Sequence, residues 1–214
     1  MAFKLNYQGG LAYLTIPAFE KTGLVKHGFS TRMGGMSKHP YDSLNLGLRK
    51  DDDKKNVIEN YRLFCKALSI NPNNLVASDQ VHEDKIHVAT LHDRGKGIFK
   101  QSDIKGIDAL ITKDRQLALV TYYADCVPLF LLDVETPAIG LAHAGWRGTV
   151  KKIGQKTVLK MMKEFGSKPE HILVGIGPCI SVCCYEVDEL VVDSLKKAFV
   201  YFDELIKETG KGKW

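Results

Sequence analysis

The sequence predicts a mixed α/β fold, α+β by sheet type, with largely antiparallel or mixed sheets. Three observations predict it. Short β-rich runs recur between Leu75 and Ile176, two of them are joined by a turn of hairpin size, and three longer stretches carry apolar residues at helical spacing.

The elements follow in chain order. Up to about Leu48 the chain is rich in turn formers (Gly34-Gly35, His39-Pro40, Asn45-Leu46-Gly47) and reads as strands and loops. Asp51 to Asp53 offer carboxylates to a helix N-terminus, where the backbone dipole favours negative charge. Val57, Tyr61, Phe64, Cys65 and Leu68 then repeat at helical spacing, so Lys54 to Leu68 is predicted as an amphipathic helix that Asn71-Pro72 stops. Strands are expected over Lys85 to Thr90, Ile107 to Thr112 and Leu117 to Tyr123. Val127 to Leu132 and Ile139 to His143 are apolar runs separated by the turn Asp133 to Pro137. Thr149 to Phe165 is predicted as one helix with Gly166 as its C-terminal stop, followed by a buried strand at Ile172 to Ile176 and a helix from Glu186 to Phe202.

Composition excludes several classes. The 214 residues, 44% hydrophobic and 26% charged, can bury a sizeable core, which rules out a disordered chain and suits one domain spanning residues 1–214. The longest apolar run ends at Asp133, far short of the ~20 residues a membrane span needs, so no membrane association is expected. The segment from Met1 to Asn6 lacks the apolar stretch of a secretory leader. Five cysteines, two of them adjacent, do not make a disulfide framework and point to a reducing, cytoplasmic compartment. A net charge of +5 without basic residues interleaved with aromatics argues against nucleic-acid binding. Oligomeric state is not legible.

The densest candidate site is Thr121 to Pro128 followed by Ala142 to Thr149. If the hairpin closes symmetrically about Glu135 and Thr136, Asp133 faces Ala138 and Pro128 faces His143. Cys126 is then the diagonal neighbour of His143 on the same sheet face, with backbones about 7–8 Å apart. A slip of one residue would put them on opposite faces. His82, at the end of a predicted strand, suggests a third ligand. Two imidazoles and a thiolate suit zinc, and three protein ligands leave a fourth position for water, the pattern of a catalytic site. Each residue also has a plainer reading, a strand cysteine as core filling or a strand-end histidine as a hydrogen-bonding residue.

Gly145-Trp146-Arg147-Gly148 leads into the predicted helix, where backbone N–H groups and a guanidinium make an anion site; the alternative is a glycine turn with a surface arginine. Phe29 to Gly35 is a second glycine-rich loop, carrying Arg32, and Asn45 follows it. Gly177 to Glu186 holds Cys179, Cys183 and Cys184. Adjacent cysteines are expected to point in different directions, so these three are assigned to packing near the site rather than to a metal cluster.

Together, His27 to Gly35, Ser43 to Gly47, Gln80-Val81-His82, Ala124 to Pro128, His143 to Gly148, Gly175 to Cys179 and Cys184 to Val187 resemble the laccase-domain, or multicopper polyphenol oxidase-like, family. That family includes bacterial purine nucleoside phosphorylases and the peptidoglycan editing factor. The resemblance runs from about residue 10 to residue 195. It implies a four-layer α/β/β/α domain with one zinc on His82, Cys126 and His143. It also implies phosphorolysis of adenosine, inosine and methylthioadenosine, and hydrolytic deamination of adenosine. On that reading Asp125 or a neighbouring acid shuttles the proton, Arg147 and Arg32 contact phosphate, and Asn45 and Gln80 contact ribose or base. Two departures stand out. Glu83 occupies a position where the family usually has glycine, which would narrow or recharge the pocket mouth. The family's Phe-Phe-Ser-Tyr-Arg-Arg-like C-terminal segment is not found, which puts the substrate contacts it supplies in doubt.

Three rivals remain at this stage. A copper oxidase is disfavoured because none of the 7 histidines forms a His-x-His pair. A cysteine hydrolase or amidase on peptidoglycan precursors would use Cys126 as nucleophile and His143 as base. An inactive small-molecule-binding module is the third.

Overall fold

A computed structural model describes residues 3–48, 50–210 and 212–214. The elements are β1 (Lys4–Gln8), β2 (Leu11–Thr15), α1 (Pro17–Glu20), β3 (Phe29–Ser30), α2 (Lys54–Ala67), β4 (Leu75–Ala77), β5 (Ile86–Val88), β6 (Ala109–Thr112), β7 (Ala118–Val120), β8 (Val127–Asp133), β9 (Ala138–Ala144), α3 (Trp146–Val150), α4 (Ile153–Phe165), β10 (Ile172–Ile176) and α5 (Glu189–Ala198), with single turns of 3₁₀-helix between some of them. Strands β1-β2-β3 form an antiparallel sheet, β4 and β7 a parallel pair, and β10-β8-β9-β6-β5 a mixed sheet whose β5–β6 pair is parallel. Among the described residues no helix is long and apolar enough to cross a membrane.

Strand alternation sorts side chains into layers. Leu75 and Ala77 of β4 pack on Val57, Tyr61 and Cys65 of α2, while Val76 between them packs on Leu110 of β6. The other face of the large sheet, through Ala109, Ile111, Leu131, Ala138 and Ala142, meets Ile153 and Met161 of α4. The order is therefore helix, small sheet, large sheet, helix, the four layers expected. Ile153 and Met161 are 1% and 0% exposed. Burying each stabilises the fold by about 1.5–3 kcal/mol, which fixes α4 along the sheet.

Local chemistry explains the element ends. The β1–β2 hairpin turns on Gly9 and Gly10, both with positive φ, the conformation a two-residue hairpin of this hand requires. Asp53 caps α2 by accepting the Lys55 N–H at 2.8 Å. Asp133 Oδ1 accepts the N–H groups of Glu135 and Thr136, closing the β8–β9 turn symmetrically. Pro128 accordingly pairs with His143 and Asp133 with Ala138, the predicted register.

Several expectations need correction. The helix expected over Thr149 to Phe165 begins earlier and is broken in two, because Lys152 adopts the left-handed conformation. Gly148 of α3 sits against the Glu83 carbonyl (an added Cβ would lie 3.2 Å from it), whereas α4 must lie along the sheet. The left-handed residue joins the two directions. The last helix is α5 alone, shorter than Glu186 to Phe202. Asp188 caps its start, and Val187 exchanges backbone hydrogen bonds with Trp214 instead of entering it. The strand expected from Ile107 starts at Ala109, because the Asp108 and Ala109 N–H groups both turn to the Lys85 carbonyl. Adjacent cysteines were expected to diverge, but the Cys183 and Cys184 sulfurs lie 3.0 Å apart. With Cys179 they are exposed, so packing does not account for them.

Candidate metal centre

Hairpin parity puts the His143 side chain on the face of the large sheet that looks toward the small one, and Cys126 precedes β8 with the same parity. His82 arrives from the loop between β4 and β5. Its φ of 62° is left-handed, a conformation costing a non-glycine residue about 1–2 kcal/mol. The strain is held in place by one side chain. Asp108 accepts N–H bonds from Val81 at 3.2 Å, His82 at 2.9 Å and Glu83 at 2.8 Å.

The same carboxylate reaches the second imidazole. His143 Nδ1 lies 2.8 Å from Asp108 Oδ1, and the His143 N–H donates to the Asp108 carbonyl at 2.8 Å. The contact assigns the proton to Nδ1 and leaves Nε2 bare, the arrangement that orients metal-binding histidines. Asp108 is fully buried and His143 only 3% exposed. Burial lowers the His143 imidazole from its ordinary value and nearby His82 adds to this, while the Asp108 hydrogen bond opposes without cancelling. His143 is thus favoured in its neutral, ligating form.

His82, Cys126 and His143 each bring one ligand atom to within 4.8 Å of the others. Small side-chain shifts would close such a set on one ion with bonds of about 2.0–2.3 Å, and two nitrogens with a sulfur are a donor combination zinc accepts. Burial first, then the charges of Asp125 and Asp108, push the Cys126 thiol up. A bare thiolate is therefore unfavourable here, and a bound cation would reverse that. Gly145 leaves room for both: an added Cβ would lie 3.0 Å from Cys126 Sγ and 3.1 Å from His82 Cδ2, so those side chains would have to shift. Tyr123, its ring centroid 5.6 Å from that of His143, donates its hydroxyl to the Ala142 carbonyl and walls the inner side.

The three candidate ligands, Asp125, Gln80, Asn45 and Arg32 all line one open cleft of about 2070 Å³. Within it the polar atoms of the last three are engaged internally. Gln80 pairs through its amide oxygen and nitrogen with the Tyr122 backbone at 2.7 and 2.9 Å. Asn45 accepts from the Gly47 N–H and donates to Asp52. Arg32 grips the Asp42 carbonyl and carboxylate. Asp125 is exposed beside Cys126. Arg147 is exposed, with its guanidinium stacked 4.2 Å from the centre of the Trp146 ring. It lies at the start of α3 but is not among the cleft's lining residues. The Glu83 carboxylate turns to Lys151.

Sequence reasoning missed Asp108. The signal was present, since an aspartate inside the otherwise apolar run Ile107 to Ile111 must be paired if that run is buried.

Fold and site together define a mixed α/β protein with a His/Cys/His candidate metal centre at the mouth of an inter-sheet cleft. Residues 26–214 match the family described as multi-copper polyphenol oxidoreductase laccase, and the chain belongs to that family. It is 37% identical over 188 residues to purine nucleoside phosphorylase YlmD of Bacillus subtilis (strain 168), covering 87% of this chain and 68% of that one. It is 31% identical over 180 residues to adenosine deaminase RL5 of an unknown prokaryotic organism, covering 83% of this chain and 68% of that one. A crystal structure of the Bacillus licheniformis hypothetical protein YfiH superposes with a TM-score of 0.90 at 34% identity, covering 99% of this chain and 78% of that one. The chain thus spans about two thirds of the length of these two curated relatives.

Proposed function

We propose that this protein is a cytoplasmic zinc-dependent purine nucleoside enzyme, acting as a single domain. Its reactions are phosphorolysis of adenosine, inosine and methylthioadenosine to free base and (methylthio)ribose 1-phosphate, and hydrolytic deamination of adenosine. The observation that carries this reading is the convergence of His82, Cys126 and His143 on the frame set by Asp108. Membership of a family whose relatives are named for purine nucleoside phosphorolysis and adenosine deamination supports the substrate class.

In this reading His82, Cys126 and His143 hold the zinc, which when bound lowers the pKa of water toward neutrality. Asp108 keeps His143 in the tautomer that presents Nε2 and locks the backbone that carries His82. Asp125, exposed next to Cys126, moves the proton between solvent and the leaving group. Arg147, held over Trp146, supplies a planar charged donor for phosphate. Arg32 is the second phosphate candidate and must exchange its Asp42 partner to serve. Asn45 and Gln80 are candidates for ribose or base, and in their present bonds they shape the cleft wall. The raised Cys126 thiol weighs against a cysteine hydrolase, whose nucleophile needs a stabilised thiolate.

The test is chromatography of adenosine incubations with and without phosphate. Inosine alone is expected without phosphate; adenine, hypoxanthine and ribose 1-phosphate should appear when it is added. Free base released equally in both buffers would make the protein a nucleoside hydrolase, and unchanged adenosine in both would overturn the reading.

A further inference from the structure

Between β10 and α5, the loop of residues 177–188 carries three cysteines that the candidate metal centre does not use. Cys183 and Cys184 face each other with sulfurs 3.0 Å apart, and both are exposed. The turn beneath them explains the convergence, since the N–H groups of Cys184 and Tyr185 both donate to the Ser181 carbonyl. Neighbouring Val182 is 87% exposed, so the crest of the loop is open to reagents. Cys65 is the contrast: it is buried in the α2 core, and burial pushes its thiol up to about 11.

We propose that Cys183 and Cys184 form a covalent modification site, a vicinal dithiol that a hydroperoxide converts reversibly to a disulfide. The Cys183 thiol gives up its proton and its sulfur attacks one peroxide oxygen; the O–O bond breaks, a sulfenic acid forms, and the leaving hydroxide takes up a proton to become water. The Cys184 sulfur then attacks the sulfenic sulfur, forming the S–S bond and breaking the S–O bond, with water as the second product. The two thiols lose two electrons and the peroxide gains them. The hydrogen bond to Cys183 is the main reason the Cys184 thiol lies above its ordinary value, which suits Cys184 to the second, resolving step.

Geometry makes the product easy to reduce. Adjacent Cα atoms stand about 3.8 Å apart across a trans peptide, below the usual disulfide span of about 4.4–6.8 Å. A bond strained in this way belongs to the labile, readily reversed class. Its closure would stiffen a loop that already touches the candidate metal centre, because the Ile180 N–H donates to the Asp125 carbonyl at 3.0 Å, one residue before Cys126.

The test treats the intact protein with hydrogen peroxide, counts thiols and maps the modified residues by tandem mass spectrometry. The expected result is loss of two thiols per chain and of two hydrogens from the Cys183–Cys184 pair, restored by a reductant. The change should persist in Cys179→Ser and vanish in Cys183→Ser and in Cys184→Ser. These positions are on the surface, and the folding of each variant is checked by circular dichroism. Peroxide carrying either sulfur to sulfinic acid without an internal bond, bonding Cys179 instead, linking two chains, or sparing both sulfurs would overturn the proposal.

Discussion

Asp108 Oδ1 stands 2.8 Å from His143 Nδ1, and its carboxylate also holds the backbone N–H of His82. One buried side chain therefore places two of the three candidate ligands. Removing such a partner typically weakens metal affinity by about 10–100-fold. Asp108→Ala should show a loss of that size in chelator competition for zinc, and Asp108→Asn a smaller one. Wild-type affinity in both variants would make Asp108 a purely structural residue.

Zinc content is the most direct readout of the triad. Purified protein should carry about one zinc per chain, since a three-residue donor set serves one open tetrahedral site. Cys126→Ala, His82→Ala and His143→Ala should each strip it and abolish deamination. Elemental analysis finding full zinc in Cys126→Ala would remove Cys126 from the ligand set.

Arg147 separates phosphate use from metal binding. Charged hydrogen bonds are worth about 1.5–3 kcal/mol, so Arg147→Ala should raise the KM for phosphate by roughly 10–100-fold at unchanged zinc content. An unchanged KM would reduce Arg147 to a surface residue stacked on Trp146.

Acid stability has a separate source, in a carboxylate that does not line the cleft. Burial pushes the Asp93 carboxyl up, but hydrogen bonds from Lys96, the Thr90 N–H and His87 outweigh it and hold the group at about 2, below its ordinary 3.8. A depressed folded-state value stabilises the protein above the unfolded value, and that stability is lost as pH falls through the folded one. The contribution is on the order of 2 kcal/mol at neutral pH and disappears between about pH 4 and pH 2. Asp93→Asn should lower the neutral-pH Tm and flatten the decline of Tm over that window. A parallel shift of the whole Tm–pH curve would show that Asp93 acts by packing alone.

What could be read from the sequence was local. The β8–β9 register followed from a five-residue turn and a period of two, and with it came the shared face of Cys126 and His143. The α2 helix followed from its spacing and the Asp53 cap, and the Gly166 stop from glycine's access to left-handed backbone. Spacing and the family resemblance between them supplied His82 as the third candidate ligand, and the structure brings it near Cys126 and His143. Breaks and convergences imposed from a distance were not legible. Lys152 is a good helix former by itself, yet it turns left-handed because α3 packs on the His82 loop and α4 on the sheet.

The sequence by itself determined the class of fold, the register of the central hairpin and the residue types of the site, because hydrophobic period and turn chemistry act over a few residues. Tertiary structure decided that the turn into β6 delivers Asp108 under both the His82 loop and His143, that Gly145 leaves room for the Cys126 sulfur, and that Gln80 and Asn45 spend their amides inside the cleft wall. Those contacts join residues far apart in the chain. Which buried polar group meets which partner is settled only when the layers close and each must be satisfied.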